Sequence, residues 1–219
     1  MNVIEYIGFG LIAYLLGSIP TAVWIGKAYY GIDVREHGSK NAGATNTFRV
    51  LGKKPGSIVL LIDILKGALA SSLPYIVKAP FIVLPDEGPN DAAMMTILNI
   101  QIIASILAVV GHVFPIFAGF RGGKGVATSL GVIIGLQPIA ALICFGVFFI
   151  VFIISKYVSL GAMVAAVVFP LVVHFILKNE SPWMTLFSIV LSVLVIFAHK
   201  KNIGRLARGE ESRMNLFKK

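Results

Sequence analysis

Acids, cysteines and uninterrupted polar stretches are scarce in this chain. Only 10 of its 219 residues are Asp or Glu, against 19 Lys or Arg. The acids are scattered, so nothing in the sequence suggests a metal site of the carboxylate-rich kind. The single cysteine, Cys144, lies inside an apolar run; it excludes a disulfide within one chain and argues against zinc or iron–sulfur ligation. Charged residues make up 13% of the chain and apolar ones 57%, with a mean hydropathy of +0.89. That balance excludes a soluble globular domain. A phosphate loop of the form G-x-x-x-x-G-K-[ST] is missing too, because Ala118 and Gly125 stand where a glycine and a hydroxyl are needed. No internal repeat, low-complexity tract or long linker divides the chain, so a single domain over 1–219 is expected.

What the chain does have is apolar runs of membrane length. Crossing about 30 Å of hydrocarbon takes about 20 helical residues, and spans are expected near 3–26, 56–78, 94–111, 125–137, 139–155, 158–177 and 184–199. The first run lacks a basic start and a small-residue cleavage site, so it reads as a retained span rather than a signal peptide. Only Gln137-Pro138 separates the fourth and fifth, which would otherwise form one kinked helix and leave six spans. Charge decides between six and seven: 27–54 holds Lys27, Arg35, Lys40, Arg49, Lys53 and Lys54, whereas 79–93 holds Asp86, Glu87 and Asp91 and no basic residue. Seven spans put 27–54, Arg121, Lys124, Lys156 and the basic tail on one cytoplasmic side. The fold class expected is all-α: a polytopic membrane protein with seven transmembrane helices, N-terminus out and C-terminus in. The basic loops then face anionic lipid and anionic solutes rather than nucleic acid.

Three polar segments share that face. Residues 111–131 set glycines, Arg121 and Lys124 just before a helix that Val126 would begin, which suits a phosphate; the same small residues would also serve close helix packing. The loop Asp33 to Arg49 is rich in groups that compete with regular helix, and reads either as an irregular polar lining or as an ordinary cytoplasmic loop. In the tail, His199, Asn202 and Arg205 fall on one helix face by their spacing. Asp63 and Lys66, three residues apart within the second span, form a self-neutralising pair or face a polar interior.

Gly38-Ser39-Lys40-Asn41, Gly43-Ala44-Thr45-Asn46 and Arg49, then Gly111-His112-Val113-Phe114-Pro115 with Gly122-Gly123-Lys124-Gly125-Val126-Ala127-Thr128, then His199, Asn202-Ile203, Arg205-Leu206 and Gly209-x-Glu211, together resemble the bacterial acyl-phosphate:glycerol-3-phosphate acyltransferase family. The resemblance runs over nearly the whole chain. It implies an enzyme of the bacterial inner membrane that acylates the sn-1 hydroxyl of glycerol-3-phosphate from acyl phosphate, giving lysophosphatidic acid and phosphate at the first step of phospholipid synthesis. It implies no cofactor and no metal, membrane lipid as surroundings, and coupling to an enzyme that makes acyl phosphate. Ser39, Arg49 and His199 would be catalytic. Asn41, Thr45, Asn46, Gly122, Gly123, Lys124, Gly125, Thr128, Ser159, Asn202 and Arg205 would line the substrates, Gly122 to Gly125 taking the phosphate of glycerol-3-phosphate. His112 and Glu211 would be structural near the site. Two positions depart from the family: Lys40, where many relatives have glycine, and Ala162, where many have serine. An acyl phosphate is already activated, and the family is thought to use the substrate's own phosphate as base; the residues alone leave His199 and His112 as further candidates. Thioester-dependent acyl transfer would call for His-x-x-x-x-Asp, and none of the four histidines has it. A transporter of phosphorylated solutes, the other class that the apolar spans allow, is opposed by polar segments gathered on one face and by the lack of an inverted repeat.

Overall fold

The computed structural model describes residues 3–78, 83–84, 88–89, 91–179 and 181–214. Among these residues it is helical almost throughout, with ten α-helices: α1 (Val3–Gly17), α2 (Thr21–Tyr30), α3 (Ala44–Leu51), α4 (Lys53–Lys78), α5 (Asp91–Val113), α6 (Val126–Leu136), α7 (Pro138–Ser155), α8 (Val158–Leu171), α9 (Pro182–Ala198) and α10 (Lys200–Ala207). Val83–Leu84 pairs antiparallel with Gly88–Pro89. The acidic segment expected outside, 79–93, falls largely outside the described residues, as does the tail beyond Met214. Two compact units divide the chain, 1–136 and 137–219.

Among the described residues five stretches are long and apolar enough to cross a membrane: Val3–Tyr30, Lys53–Lys78, Ala92–Ala118, Pro138–Ser155 and Val158–Ile176; α9 with α10, bent by 58°, makes a sixth. All seven expected spans are helical, but α6 has only 11 residues, about 16 Å at 1.5 Å per residue. The break after it is real: Gln137 leaves the helical region at φ −145°, ψ 76°, and Pro138 opens α7. Two helices therefore replace the single kinked one. The first span is interrupted in turn at Ser18-Ile19-Pro20, since Pro20 offers no N–H to continue the ladder, and α2 carries it on to Tyr30.

Close backbone approach assembles the first unit. A methyl on Gly17 would stand 2.0 Å from the Ala108 carbonyl, and one on Gly111 2.3 Å from that of Tyr14, so α1 and α5 pack through glycines that no alanine can replace without a shift. Gly67 and Gly131 do the same between α4 and α6, against the carbonyls of Thr128 and Ile64. The short α6 is thus held along α4 rather than by its own length. In the second unit, Phe169 meets Phe187 edge to face at 6.2 Å within a buried set that includes Phe152, Met184 and Leu191. Cys144 is buried there as a free thiol, and Ala162 is buried in α8.

Candidate active site

The first loop is more ordered than its composition suggests. Ala44–Leu51 forms a helix rather than irregular lining, and the stretch before it is fixed by two side chains. Asp33 caps a 3-10 turn at Val34–Glu36, accepting from the Arg35 amide at 3.0 Å. The same carboxylate receives Arg35 Nε at 3.0 Å and Nη2 at 2.7 Å, with Lys27 Nζ at 3.4 Å. The Arg35 hydrogen bond holds the Asp33 carboxyl well below the usual carboxylate range, against the burial that raises it. The remaining guanidinium nitrogen, Nη1, donates to the carbonyls of Ala118 at 2.8 Å and Arg121 at 3.4 Å. Arg35 therefore pins the first loop to the glycine loop. Sequence reasoning counted it only as a loop charge; the Asp-x-Arg spacing was its one signal.

Asn46 is the second organiser. Its Oδ1 accepts from the Ser39 amide at 2.8 Å and from Ser39 Oγ at 3.1 Å, while its Nδ2 donates to the Val34 carbonyl at 2.8 Å and to that of His37 at 3.1 Å. Four bonds exhaust an amide side chain, and Asn46 is 1% exposed. It was expected to touch substrate; it holds Ser39 instead. The Ser39 hydroxyl donates to an amide oxygen, which takes up no proton at neutral pH, so it is not activated as a nucleophile. Arg49, on the last turn of α3, is exposed and has no hydrogen bond or ion pair with the described residues. It is available to an anion. Asn41 and Thr45 are half-buried beside it in sequence, and Lys40 is exposed in a left-handed conformation, φ 58°.

The glycine loop differs from a simple ring of amides around an anion. Gly122 N–H donates to the Val113 carbonyl at 3.2 Å and Gly123 N–H to that of His112 at 3.1 Å, so two of its donors are spent on the end of α5. A methyl on Gly122 would lie 2.0 Å from the His112 carbonyl, and one on Gly123 2.2 Å from His112 Nε2. These two glycines are needed for contact with His112. What they leave for an anion is the start of α6, where Gly125 turns at φ 78° and the helix dipole adds to the charge of Lys124. Thr128, expected to line substrate, is fully buried, and its Oγ1 has no hydrogen-bond partner among the described residues.

Beside this loop Asp63 and Lys66 form their pair at 2.8 Å, both buried. Lys66 Nζ also donates to the Ile19 carbonyl at 2.8 Å, at the break between α1 and α2, and Thr21 Oγ1 donates to Asp63 at 3.3 Å. His112 Nδ1 stands 3.7 Å from the same Asp63 oxygen.

In the second unit Glu211 gathers the tail residues. It accepts from Ser159 Oγ at 2.8 Å, Asn202 Nδ2 at 2.7 Å and Arg205 Nε at 2.8 Å. His199 is 2% exposed, at the bend between α9 and α10, with Nδ1 2.7 Å from the Val195 carbonyl. A carbonyl only accepts, so Nδ1 carries the proton and Nε2 is the basic nitrogen of the neutral ring. Among the described residues no three His, Cys, Asp or Glu side chains gather as a metal site would need.

A family model described as glycerol-3-phosphate acyltransferase matches residues 7–209. The chain belongs to the glycerol-3-phosphate acyltransferase family. Relatives bearing that name include one from Streptococcus equi subsp. equi, 43% identical over 209 residues that cover 92% of this chain and 89% of the other. Another, from Chlorobaculum tepidum, is 38% identical and covers 99% of both chains. Among solved structures, the crystal structure of PlsY (YgiH), an integral membrane glycerol 3-phosphate acyltransferase, is similar in its glycerol 3-phosphate form, with TM-score 0.82 and 35% identity over 98% of this chain and 100% of that one. Its lysophosphatidic acid form gives TM-score 0.78 and 34% identity over 96% of each chain. This chain is thus an integral membrane member of a family of phospholipid synthesis.

The match to the acyltransferase family ends at residue 209, two residues short of Glu211. Burial raises the Glu211 pKa, but hydrogen bonds from Asn202 and Ser159 and the charge of Arg205 outweigh it and leave it below the ordinary value of 4.5. A carboxylate held low stabilises the folded state above its unfolded pKa, and that contribution disappears as pH falls through the folded value. The acyltransferase is therefore expected to be more thermostable than its Glu211→Gln variant at pH 7, with the difference shrinking in the acid range below about 4.5. Thermal unfolding in detergent across that range reads it directly.

Proposed function

We propose that the protein transfers an acyl group from acyl phosphate to the sn-1 hydroxyl of glycerol-3-phosphate, releasing lysophosphatidic acid and inorganic phosphate. The observation that carries this reading is the family match over residues 7–209, with Arg35 joining the Ser39–Arg49 loop to the glycine loop in this chain. The hydroxyl oxygen attacks the acyl carbonyl carbon, the carbon–oxygen bond to phosphate breaks, and the hydroxyl proton leaves on the departing phosphate. No protein base is needed, which suits the inert partner of Ser39. Arg49 balances charge on the donor, Ser39 orients it, and Lys124 with the start of α6 holds the acceptor's phosphate. The chain acts as a single acyltransferase domain.

The proposed orientation is seven crossings of the bacterial inner membrane, N-terminus out and C-terminus in, with the chemistry on the cytoplasmic face. Separate helices before and after Gln137 support it, because only then do Lys156 and the basic tail join Arg121 and Lys124 on the side of residues 27–54. The test of function is purified protein in detergent with synthetic acyl phosphate and glycerol-3-phosphate. Lysophosphatidic acid and phosphate are expected in equal amounts, and none from acyl-CoA or acyl-carrier protein. Comparable turnover of acyl-CoA would overturn the donor assignment.

A further inference from the structure

We infer that Asp63, Lys66 and His112 form a buried brace that positions the glycine loop, with His112 as a positioning residue for acceptor binding; the inference rests on the reading of that loop as the glycerol-3-phosphate site. The chain of contacts is continuous within the first unit. It starts at the Ile19 carbonyl, where α1 gives way to α2, and passes through Lys66 Nζ at 2.8 Å to Asp63 Oδ1 at 2.8 Å. His112 Nδ1 follows at 3.7 Å, and the far side of the same ring carries Nε2, set against the Gly123 backbone. The His112 carbonyl holds the Gly123 amide at 3.1 Å. One residue thus grips the loop with both its backbone and its ring.

Two features separate this from ordinary packing. Side chains of Asp63 and Lys66 are 2% and 4% exposed, and ionisable groups so deep in a membrane bundle are expensive unless they serve a purpose. A pair that merely cancelled its own charge would not need His112 beside it, yet the Asp63 oxygen that meets Lys66 is the one facing the imidazole, while Oδ2 has no hydrogen-bond partner among the described residues. At 3.7 Å the carboxylate lies beyond hydrogen-bond distance of Nδ1 and acts on that edge of the ring as a nearby negative charge, while the Nε2 edge faces Gly123. Second, the three heavy atoms nearest to a methyl placed on Gly123 are all in the His112 ring: Nε2 at 2.2 Å, Cε1 at 3.1 Å and Cδ2 at 3.2 Å. Within the protein, glycine at 123 is therefore demanded by the His112 ring.

The test is a double-mutant cycle. Gly123→Ala is expected to raise the KM for glycerol-3-phosphate at least tenfold, with the KM for acyl phosphate changed less than twofold. His112→Ala should raise the same KM by about five- to tenfold while kcat stays within threefold. In the His112→Ala background Gly123→Ala should then cost less than threefold, because the atoms it met are gone. Equal costs in both backgrounds would overturn the brace, as would a His112→Ala protein with the parent's acceptor KM. If Gly123→Ala alone fails to accumulate, the cycle is read in monodisperse yield: His112→Ala restoring that yield supports the clash, and no restoration overturns it. A brace confined to the loop leaves His112→Ala folded, so its failure to insert also contradicts the proposal. A parent that makes no lysophosphatidic acid from acyl phosphate would instead refute the functional reading, and thermal stabilisation by glycerol-3-phosphate then reads the same cycle without turnover.

Discussion

Asn46→Asp is expected to be the most damaging conservative change in the protein, lowering kcat/KM for acyl transfer at least a hundredfold. Replacing the amide nitrogen by a carboxylate oxygen turns two donated bonds, to the carbonyls of Val34 and His37, into two repulsive contacts at a residue 1% exposed. A buried carboxylate without its proper partners costs about 3–5 kcal/mol, and each hydrogen bond lost costs about 1 kcal/mol more. The loop has two ways to respond. It can protonate the carboxylate, or it can release the Ser39 amide and hydroxyl that Asn46 now holds. Either way the orientation of Ser39 is lost. Thermal unfolding and steady-state kinetics should show the loss of stability and of turnover together, whereas Ser39→Ala should lose turnover with the melting temperature nearly unchanged. An Asn46→Asp enzyme with the parent's stability would mean that Asn46 does not organise the loop.

The second large effect is expected at Arg35. Lysine there keeps the charge but not the planar fork, which spans Asp33 with two nitrogens and reaches the Ala118 carbonyl with a third. One lysine nitrogen cannot serve both sides. Charge-assisted bonds contribute about 1.5–3 kcal/mol each, so losing the link to Ala118 should lower kcat/KM by about tenfold to a hundredfold. Because the contact joins two loops given different tasks, kcat should fall and the KM for glycerol-3-phosphate should rise in the same variant. Arg35→Lys that changed neither would show that the loops find their places without it. Replacing Asp33 with asparagine removes the ion pair but keeps an acceptor for the turn, so a milder form of the same double effect is expected.

These two residues mark the limit of what the sequence could show. Hydropathy marked the apolar helical segments, five or six of which are long enough to cross a membrane among the described residues, and Gln137-Pro138 was readable as a break because proline removes a donor and its neighbour leaves the helical region. The interruption at Ser18-Ile19-Pro20 was less visible, since the apolar run continues through it. Polar composition correctly marked the loop at 33–49 and missed α3, whose eight residues carry three hydroxyl or amide side chains that favour turns when considered locally. In the glycine loop the residue types fitted a phosphate cradle, but spacing could not reveal that the Gly122 and Gly123 amides bond to α5. That pairing depends on where the end of α5 lies in space. The roles of Asn46 and Arg35 were hidden for the same reason: a buried organiser and a substrate ligand use the same side chains, and only their partners distinguish them. Glu211 is structural by the resemblance, and the structure shows it accepting hydrogen bonds from Ser159, Asn202 and Arg205.

The division of labour between the two loops is tested most directly by comparing Lys124→Ala with Ser39→Ala and Arg49→Ala, in purified protein of matched membrane yield with acyl phosphate and glycerol-3-phosphate as substrates. Losing one charge-assisted contact to the acceptor's phosphate costs about 1.5–3 kcal/mol, or about tenfold to a hundredfold in affinity. Lys124→Ala should therefore raise the KM for glycerol-3-phosphate by that factor and leave the KM for acyl phosphate unchanged, while Ser39→Ala and Arg49→Ala lower kcat. An unaltered acceptor KM in Lys124→Ala, together with a raised one in Ser39→Ala, would contradict it and reverse the roles of the two loops.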